Sequence, residues 1–370
     1  MEYQAPSSDS DRSISENGRI FYRPRITTND LPADVLVIIL EEAFCAVREL
    51  YTKREAGRPD PIELNSWPSF EDCIPENPFA ESLASVSSIW REVMSSVSTF
   101  WSPLIIWLGR DSTPISRIRQ YLFWSRKQPL EIYVLRRYDP AIADQTEKER
   151  VAAILELLLP HVQRWKVLCL KLLYASSLPR PRFELLGCAD HLVRLNLDFI
   201  IDDTVGSTMT TAPVPGVFKT PMVHELSMHG RHFLESYMGP YPSYVVPPKL
   251  ARLALTNYAR APRNNSRTVE FFSLLSLVES LVARPDLRLL HLENLELDCV
   301  CYVWPGRLTP TQHRWDVNVN FVDMCGDVIA DFSGTATWTI LHTRAARSLT
   351  DYTPRAPIPS ASRSTPASPE

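Results

Sequence analysis

Glycine is scarce in this chain, with 11 in 370 residues. A phosphate-cradling loop needs several glycines within a few positions, and no such cluster occurs. Basic residues do not gather either. The net charge is −4 and no Lys/Arg patch stands out, which argues against binding driven by nucleic-acid phosphates. No run of about 18 apolar residues is present, so no membrane span is expected. The opening MEYQAPSSDSDRS is polar and acidic, unlike a secretory leader.

Metal and catalytic motifs are missing as well. The seven cysteines (Cys45, Cys73, Cys169, Cys188, Cys299, Cys301, Cys325) are odd in number, scattered, and form no Cys-x-x-Cys. That usage fits reduced thiols in the cytosol or nucleus. Cys299 and Cys301 would share one side of a strand, but two ligands do not make a site. His224, His229 and His232 lie close together without a Cys or acidic partner at a zinc-like spacing. No nucleophile elbow and no His-Glu-x-x-His occurs. A triad built from distant residues would leave no such motif. The expectation is a non-enzyme with no cofactor and no metal.

What the chain does have is apolar surface, at 45% of residues. In LPADVLVIILEEAF, from Leu31 to Phe44, Val35, Leu36, Ile39, Leu40, Ala43 and Phe44 recur at helical spacing, and Pro32 suits a first turn. Val37 and Ile38 occupy the other side, so this helix lacks a polar face and needs more than one neighbour. That pattern points to a docking module. Between 51 and 78, Pro59, Pro61, Pro68, Pro75 and Pro78 forbid a long helix, and a loop insertion is expected. The helical pattern resumes at Leu83 with Val86, Trp90, Val93 and Met94, and continues through Trp107, Ile115, Ile118 and Leu122. Leu130 to Leu135 alternates like a strand, and Val151 to Leu159 reads as a helix stopped at Pro160.

Further on, the pattern apolar-x-x-Leu-x-apolar recurs with central positions at 168, 195, 226, 253 and 290, at intervals of 27, 31, 27 and 37. These approach the period of roughly 20–29 residues of leucine-rich repeats. A single repeat cannot bury its own apolar face, so stacking would stabilise the array. The alternative is a mixed α/β domain whose leucine-rich strands fall at such intervals by chance. In the repeat reading, Cys169, Asn196, Ser227, Ala254 and His291 point outward between the leucines. Arg194, Asp198, Glu225, His229, Arg252 and Glu293 flank them. The mixed charge suits a protein partner better than phosphate. After Trp304 the pattern lapses, and the Pro/Ser-rich end from 351 is expected to be disordered.

The order Leu31-Pro32, apolar helix, Trp90-Arg91, Trp101 resembles an F-box. WLGRDSTPISRIRQYLFWSRKQPLEIYVL and LLLPHVQRWKVLCLKL are similar to the segments that follow it in the large fungal F-box families. The resemblance covers roughly 29–297. The insertion and Ser87-Ser88, standing where the family commonly has Cys-Arg, depart from the pattern. The resemblance implies contact with a Skp-type adaptor, and through it a cullin, by Leu31, Pro32, Val35, Leu36, Ile39, Trp90 and Trp101. It implies substrate contact by Arg194, Asn196, Asp198, Glu225, His229, Arg252, His291 and Glu293. The expected role is substrate recognition for a ubiquitin ligase in the cytoplasm or nucleus, against a ligase-independent scaffold. The expected fold class is α+β, a helical F-box module followed by an irregular leucine-rich α/β solenoid. Its parts are a disordered 1–28, the module at 29–106 with its insertion at 51–78, repeats over 107–305, an unassigned 306–350 and a disordered 351–370.

Overall fold

The structure, a computed structural model, describes residues 31–56, 79–137, 145–204, 215–238, 246–259, 272–282, 284–298, 317–335 and 339–345. They divide into two compact units, one ending at Val97 and the other beginning at Ser98.

The first unit is helical: α1 (Ala33–Ala56), α2 (Phe79–Ala84) and α3 (Ser88–Ser96). Pro32 stands just ahead of α1, and its carbonyl accepts the Leu36 N–H at 3.0 Å. Leu36 and Leu40, one turn apart, are buried at 1% and 2% exposure. Ser87 caps α3 by accepting the Trp90 N–H at 3.2 Å, which satisfies one of the unpaired donors of the first turn. The Arg91 guanidinium donates to the Ala84 carbonyl at 3.2 Å and ties α3 to the end of α2. The helix expected to run on from Leu83 is therefore broken at Ser85–Ser87. α1 extends to Ala56, into the expected insertion, and the rest of that insertion lies outside the described residues.

The second unit is built on a sheet of nine strands among the described residues. They are β1 (Pro103–Leu108), β2 (Leu130–Arg136), β3 (Trp165–Tyr174), β5 (Arg194–Ile201), β7 (Glu225–His229), β8 (Arg252–Tyr258), β9 (Leu289–Leu295), β10 (Asn318–Met324) and β11 (Thr339–Ala345), side by side in chain order. Every pairing is parallel. The short strands β4 (Gly187–Cys188) and β6 (Phe218–Lys219) pair separately. Parallel neighbours need a crossover. The helices that serve are α4 (Ile115–Trp124), α5 (Glu147–Leu158), α6 (Gly230–Tyr237), α7 (Leu274–Val282) and α8 (Gly326–Thr335).

These findings correct the expected class. The chain is α/β, with one continuous parallel sheet and flanking helices, and not an α+β helical module followed by a solenoid. The leucine intervals marked real strands: Leu168, Leu195, Leu226, Leu253 and Leu290 are register partners across β3, β5, β7, β8 and β9, each at most 1% exposed. Buried parallel strands require such apolar rows whatever architecture contains them, so the spacing alone could not fix the class. The sheet also overruns the expected array at both ends. Trp107, read as helical, lies in β1, and the stretch after Trp304 supplies β10, α8 and β11.

Local chemistry closes the β1 edge. On β1 the Trp107 N–H donates to Thr113 Oγ1 at 2.9 Å and its carbonyl accepts the Thr113 N–H at 3.0 Å, so the following loop folds back on the outer edge. Asn257, Asn294 and Asp323 occupy equivalent places near the ends of β8, β9 and β10 with φ of 52°, 50° and 49°. Asn and Asp tolerate this left-handed turn best among non-glycine residues, and the Asn294 amide donates to Asn257 Oδ1 at 2.6 Å. α6 can start against the strand ends because Gly230 has no Cβ, which would sit 2.9 Å from Leu295 Cδ2 and 3.0 Å from Tyr258 Cβ.

Candidate functional site

Period-two alternation puts the leucines on one face of the sheet and a polar set on the other. On the polar face the register aligns three rows. The middle row is Tyr133–Cys169–Asn196–Ser227–Ala254–His291–Asn320. Two positions earlier, Glu131, Val167, Arg194, Glu225, Arg252 and Leu289 are aligned. Two positions later, Lys171 pairs with Asp198, and His229 with Thr256 and Glu293.

In the earlier row Arg194, Glu225 and Arg252 are joined by ion pairs. Glu225 accepts from Arg194 Nε at 2.6 Å and Arg252 Nη1 at 3.1 Å, while Lys166 bonds Glu131 at 2.9 Å. Burial opposes the Arg194 charge, but Glu225 more than restores it and raises its pKa. In the later row burial raises the Asp198 pKa. The Phe199 N–H and Lys171 oppose that rise, and the charge of Glu293 adds to it.

The middle row differs from expectation. Cys169, Asn196, Ser227, Ala254 and His291 were expected to face solvent, yet all are buried. Short side chains between longer charged ones lose contact with water first. Asn196 Oδ1 and Asn320 Oδ1 are buried with no hydrogen-bond partner. The Asn320 amide donates to His291 Nδ1 at 3.1 Å, which leaves the His291 proton on Nε2, 3.2 Å from Glu293 Oε2. Asn320 was missed in the sequence. Its signal was the alternation Val317, Val319, Phe321, all buried, in a stretch too short to stand out.

His229 belongs elsewhere. It is buried as the cap of α6, where its Nδ1 accepts the Arg231 N–H at 3.1 Å. Its proton therefore sits on Nε2, 3.1 Å from Asp202 Oδ2. An Asp–His pair suggests general-base chemistry, but a base needs a free ring nitrogen and both of these are engaged. Burial pushes Asp202 up, but hydrogen bonds from His229 and Thr204 win and hold its carboxyl at about 2. His232, its ring 5.3 Å from that of His229, is lowered to about 3, chiefly by burial. Among the described residues no group of three or more His, Cys, Asp or Glu could hold a metal ion, and no helix is long and apolar enough to cross a membrane.

Six of the seven expected adaptor contacts lie in the first unit and one in the second. In the first unit Leu31 and Trp90 are half-buried, Pro32, Val35 and Ile39 are exposed, and Leu36 is core. Trp101 belongs to the second unit, buried, stacked on Tyr121 and tilted against Trp124 with ring centroids 5.0 and 4.4 Å away. Ile38, unassigned from the sequence, is 61% exposed. The chain matches no protein-family model and no curated protein.

Proposed function

We propose that this protein is a non-catalytic recognition subunit working in the cytoplasm or nucleus. It docks a Skp-type adaptor, and through it a cullin, by the outer strip of α1. It holds a protein substrate on the polar face of the sheet. The observation that carries the reading is the two-sidedness of α1. Leu36 and Leu40 are buried, while Val35, Ile38 and Ile39 leave a second apolar strip open at i, i+3 and i+4. Val86 and Ile89 in the same unit are exposed too. Clustered exposed aliphatics on a helix are the usual form of a helix-mediated contact. The partner class comes from the F-box-like order of Leu31-Pro32 and Trp90-Arg91. Leu36 leaves the contact set, because a core side chain is not available to a partner, and Ile38 enters it.

The test is co-expression with a Skp-type adaptor and a pull-down. Each aliphatic that becomes fully buried contributes about 1.5–3 kcal/mol before association costs. Ile39→Asp is expected to abolish retention with an unchanged melting temperature, since Ile39 is already 47% exposed. Leu36→Asp is expected to lose retention only by unfolding the helical unit. Retention of Ile39→Asp at the wild-type level would refute the docking surface. The scaffold reading, with the sheet face acting alone, is favoured by one observation: Trp101, the closing aromatic of the resemblance, lies in the other unit.

A further inference from the structure

We propose that the middle row of the polar face is the floor of a groove for an extended peptide segment of the substrate. The segment crosses the strands, Asn196 and Asn320 hydrogen-bond its main chain, and the charged rows sort its alternating side chains. The inference rests on the recognition reading above and specifies the chemical form of what is recognised.

Two buried acceptors without partners point to a ligand with donors. Asn196 and Asn320 are 2% and 3% exposed, and the Oδ1 of each lacks a hydrogen bond. A buried polar atom left unsatisfied is costly, and native structures contain few of them. The donor on offer from any peptide is its main-chain N–H. The floor between the asparagines is mostly short, with Ser227 and Ala254 in line; the charged Glu225 and Arg252 flank them on one side, and His229 and Thr256 on the other.

The stereochemistry of an extended chain fits this outline. Its side chains alternate to two sides, and the N–H and C=O groups lie in the perpendicular plane, so every second residue turns both toward the floor. Asn196 on β5 and Asn320 on β10 are four strand steps apart. At about 4.8 Å per step they are separated by roughly 19 Å, and an extended chain covers that in about six residues at ~3.3 Å each. Six is even, so residues one and seven present their main chain to the same side. A seven-residue segment therefore reaches both amides in phase.

The walls differ in sign. Arg194 and Arg252 flank Glu225 on one side, a net charge of +1. Lys171, Asp198 and Glu293 stand on the other, a net charge of −1. A peptide with acidic residues at odd positions and basic ones at even positions is complementary to both walls. Entry requires the wall side chains to part, and Arg252, 48% exposed, is long enough to swing clear.

The probe is an end-blocked, fluorescein-labelled Glu-Lys-Glu-Lys-Glu-Lys-Glu peptide, titrated with the full chain and followed by anisotropy. Saturable binding is expected, at least tenfold tighter than to a block peptide of the same composition, Glu-Glu-Glu-Glu-Lys-Lys-Lys. N-methylation of residues one and seven removes the two donors while leaving the protein untouched, and is expected to weaken binding at least tenfold. Asn196→Ala with Asn320→Ala is expected to weaken it equally; the Asn320 change also removes the amide bond to His291 Nδ1, so binding is compared at a temperature where both proteins are folded. Equal binding of alternating and block peptides, or indifference to N-methylation, overturns the proposal. Binding that appears only after deletion of residues 351–370 assigns the groove to the chain's own tail and overturns it as well. The adaptor pull-down run in parallel separates the two claims. An adaptor-bound chain that does not discriminate among the peptides refutes the groove alone, whereas a peptide-binding chain that never retains adaptor refutes only the docking.

Discussion

Replacing Glu147 with alanine should cost more stability than any surface change in this chain. Glu147 opens α5 and is 1% exposed. Its carboxylate accepts from Arg136 Nη1 at 2.8 Å, from the Leu173 N–H at 2.9 Å and from the Tyr174 N–H at 3.0 Å. One side chain thus joins the end of β2, the start of α5 and the end of β3. Removing one partner of a buried ion pair costs about 3–5 kcal/mol, because the other charge stays buried without it. The backbone donors of Leu173 and Tyr174 lose their acceptor in the same step. The assay is equilibrium urea unfolding, with the midpoint and slope compared to wild type. The expected loss is about 3–5 kcal/mol, or roughly 10 °C in melting temperature. Glu147→Gln keeps one acceptor oxygen and should lose less. The double change Arg136→Met with Glu147→Leu removes both charges, leaving about 1–3 kcal/mol for each of the two N–H groups. A Glu147→Ala loss below about 1 kcal/mol would refute the reasoning, since that is the worth of an exposed pair.

Two further predictions concern the second unit. The Asp202 carboxyl is held at about 2 in the folded chain, below its ordinary 3.8, so its contribution is present above about pH 4 and is lost as pH falls toward 2. Acid titration of stability should show Asp202→Asn losing less than wild type over that window, by on the order of 1–2 kcal/mol after allowance for solvent screening. Equal acid limbs would count against the His229–Asp202 contact. Gly187 has φ of +108°, and a Cβ there would lie 3.0 Å from Val162 Cγ1. Gly187→Ala should therefore destabilise by about 1–3 kcal/mol in thermal melts, and a neutral result would mean that the β4 turn relaxes freely.

Much of the candidate site was legible. Arg194, Glu225 and Arg252 share one row of the polar face, and Asn196 and His291 share the next, as spacing from the leucines implied. Asp198 and Glu293 fall in the third. His229 was misread because position within a strand says nothing about the helix that begins one residue later, which takes its ring as a cap. The exposure of the middle row was also misread. Alternation tells which face a side chain is on, but whether water reaches that face depends on the neighbours across the strands. Leu36 and Ile39 show the same limit in a helix: both are apolar and helically spaced, yet one is core and the other exposed.

The sequence by itself determined where the strands of the leucine-rich region lie, because each buried parallel strand needs its own apolar pair at a spacing of two. It also determined that α1 would be apolar on more than one side, since Val37 and Ile38 leave no room for a polar face. Only the tertiary structure decided that β1, β2, β3, β5 and β7 through β11 form one sheet and that the helical unit ends before Trp101. It alone decided that Asn196 and Asn320 are buried without partners for Oδ1. Those outcomes depend on which residues meet across tens to hundreds of positions, and local periodicity carries no record of that pairing.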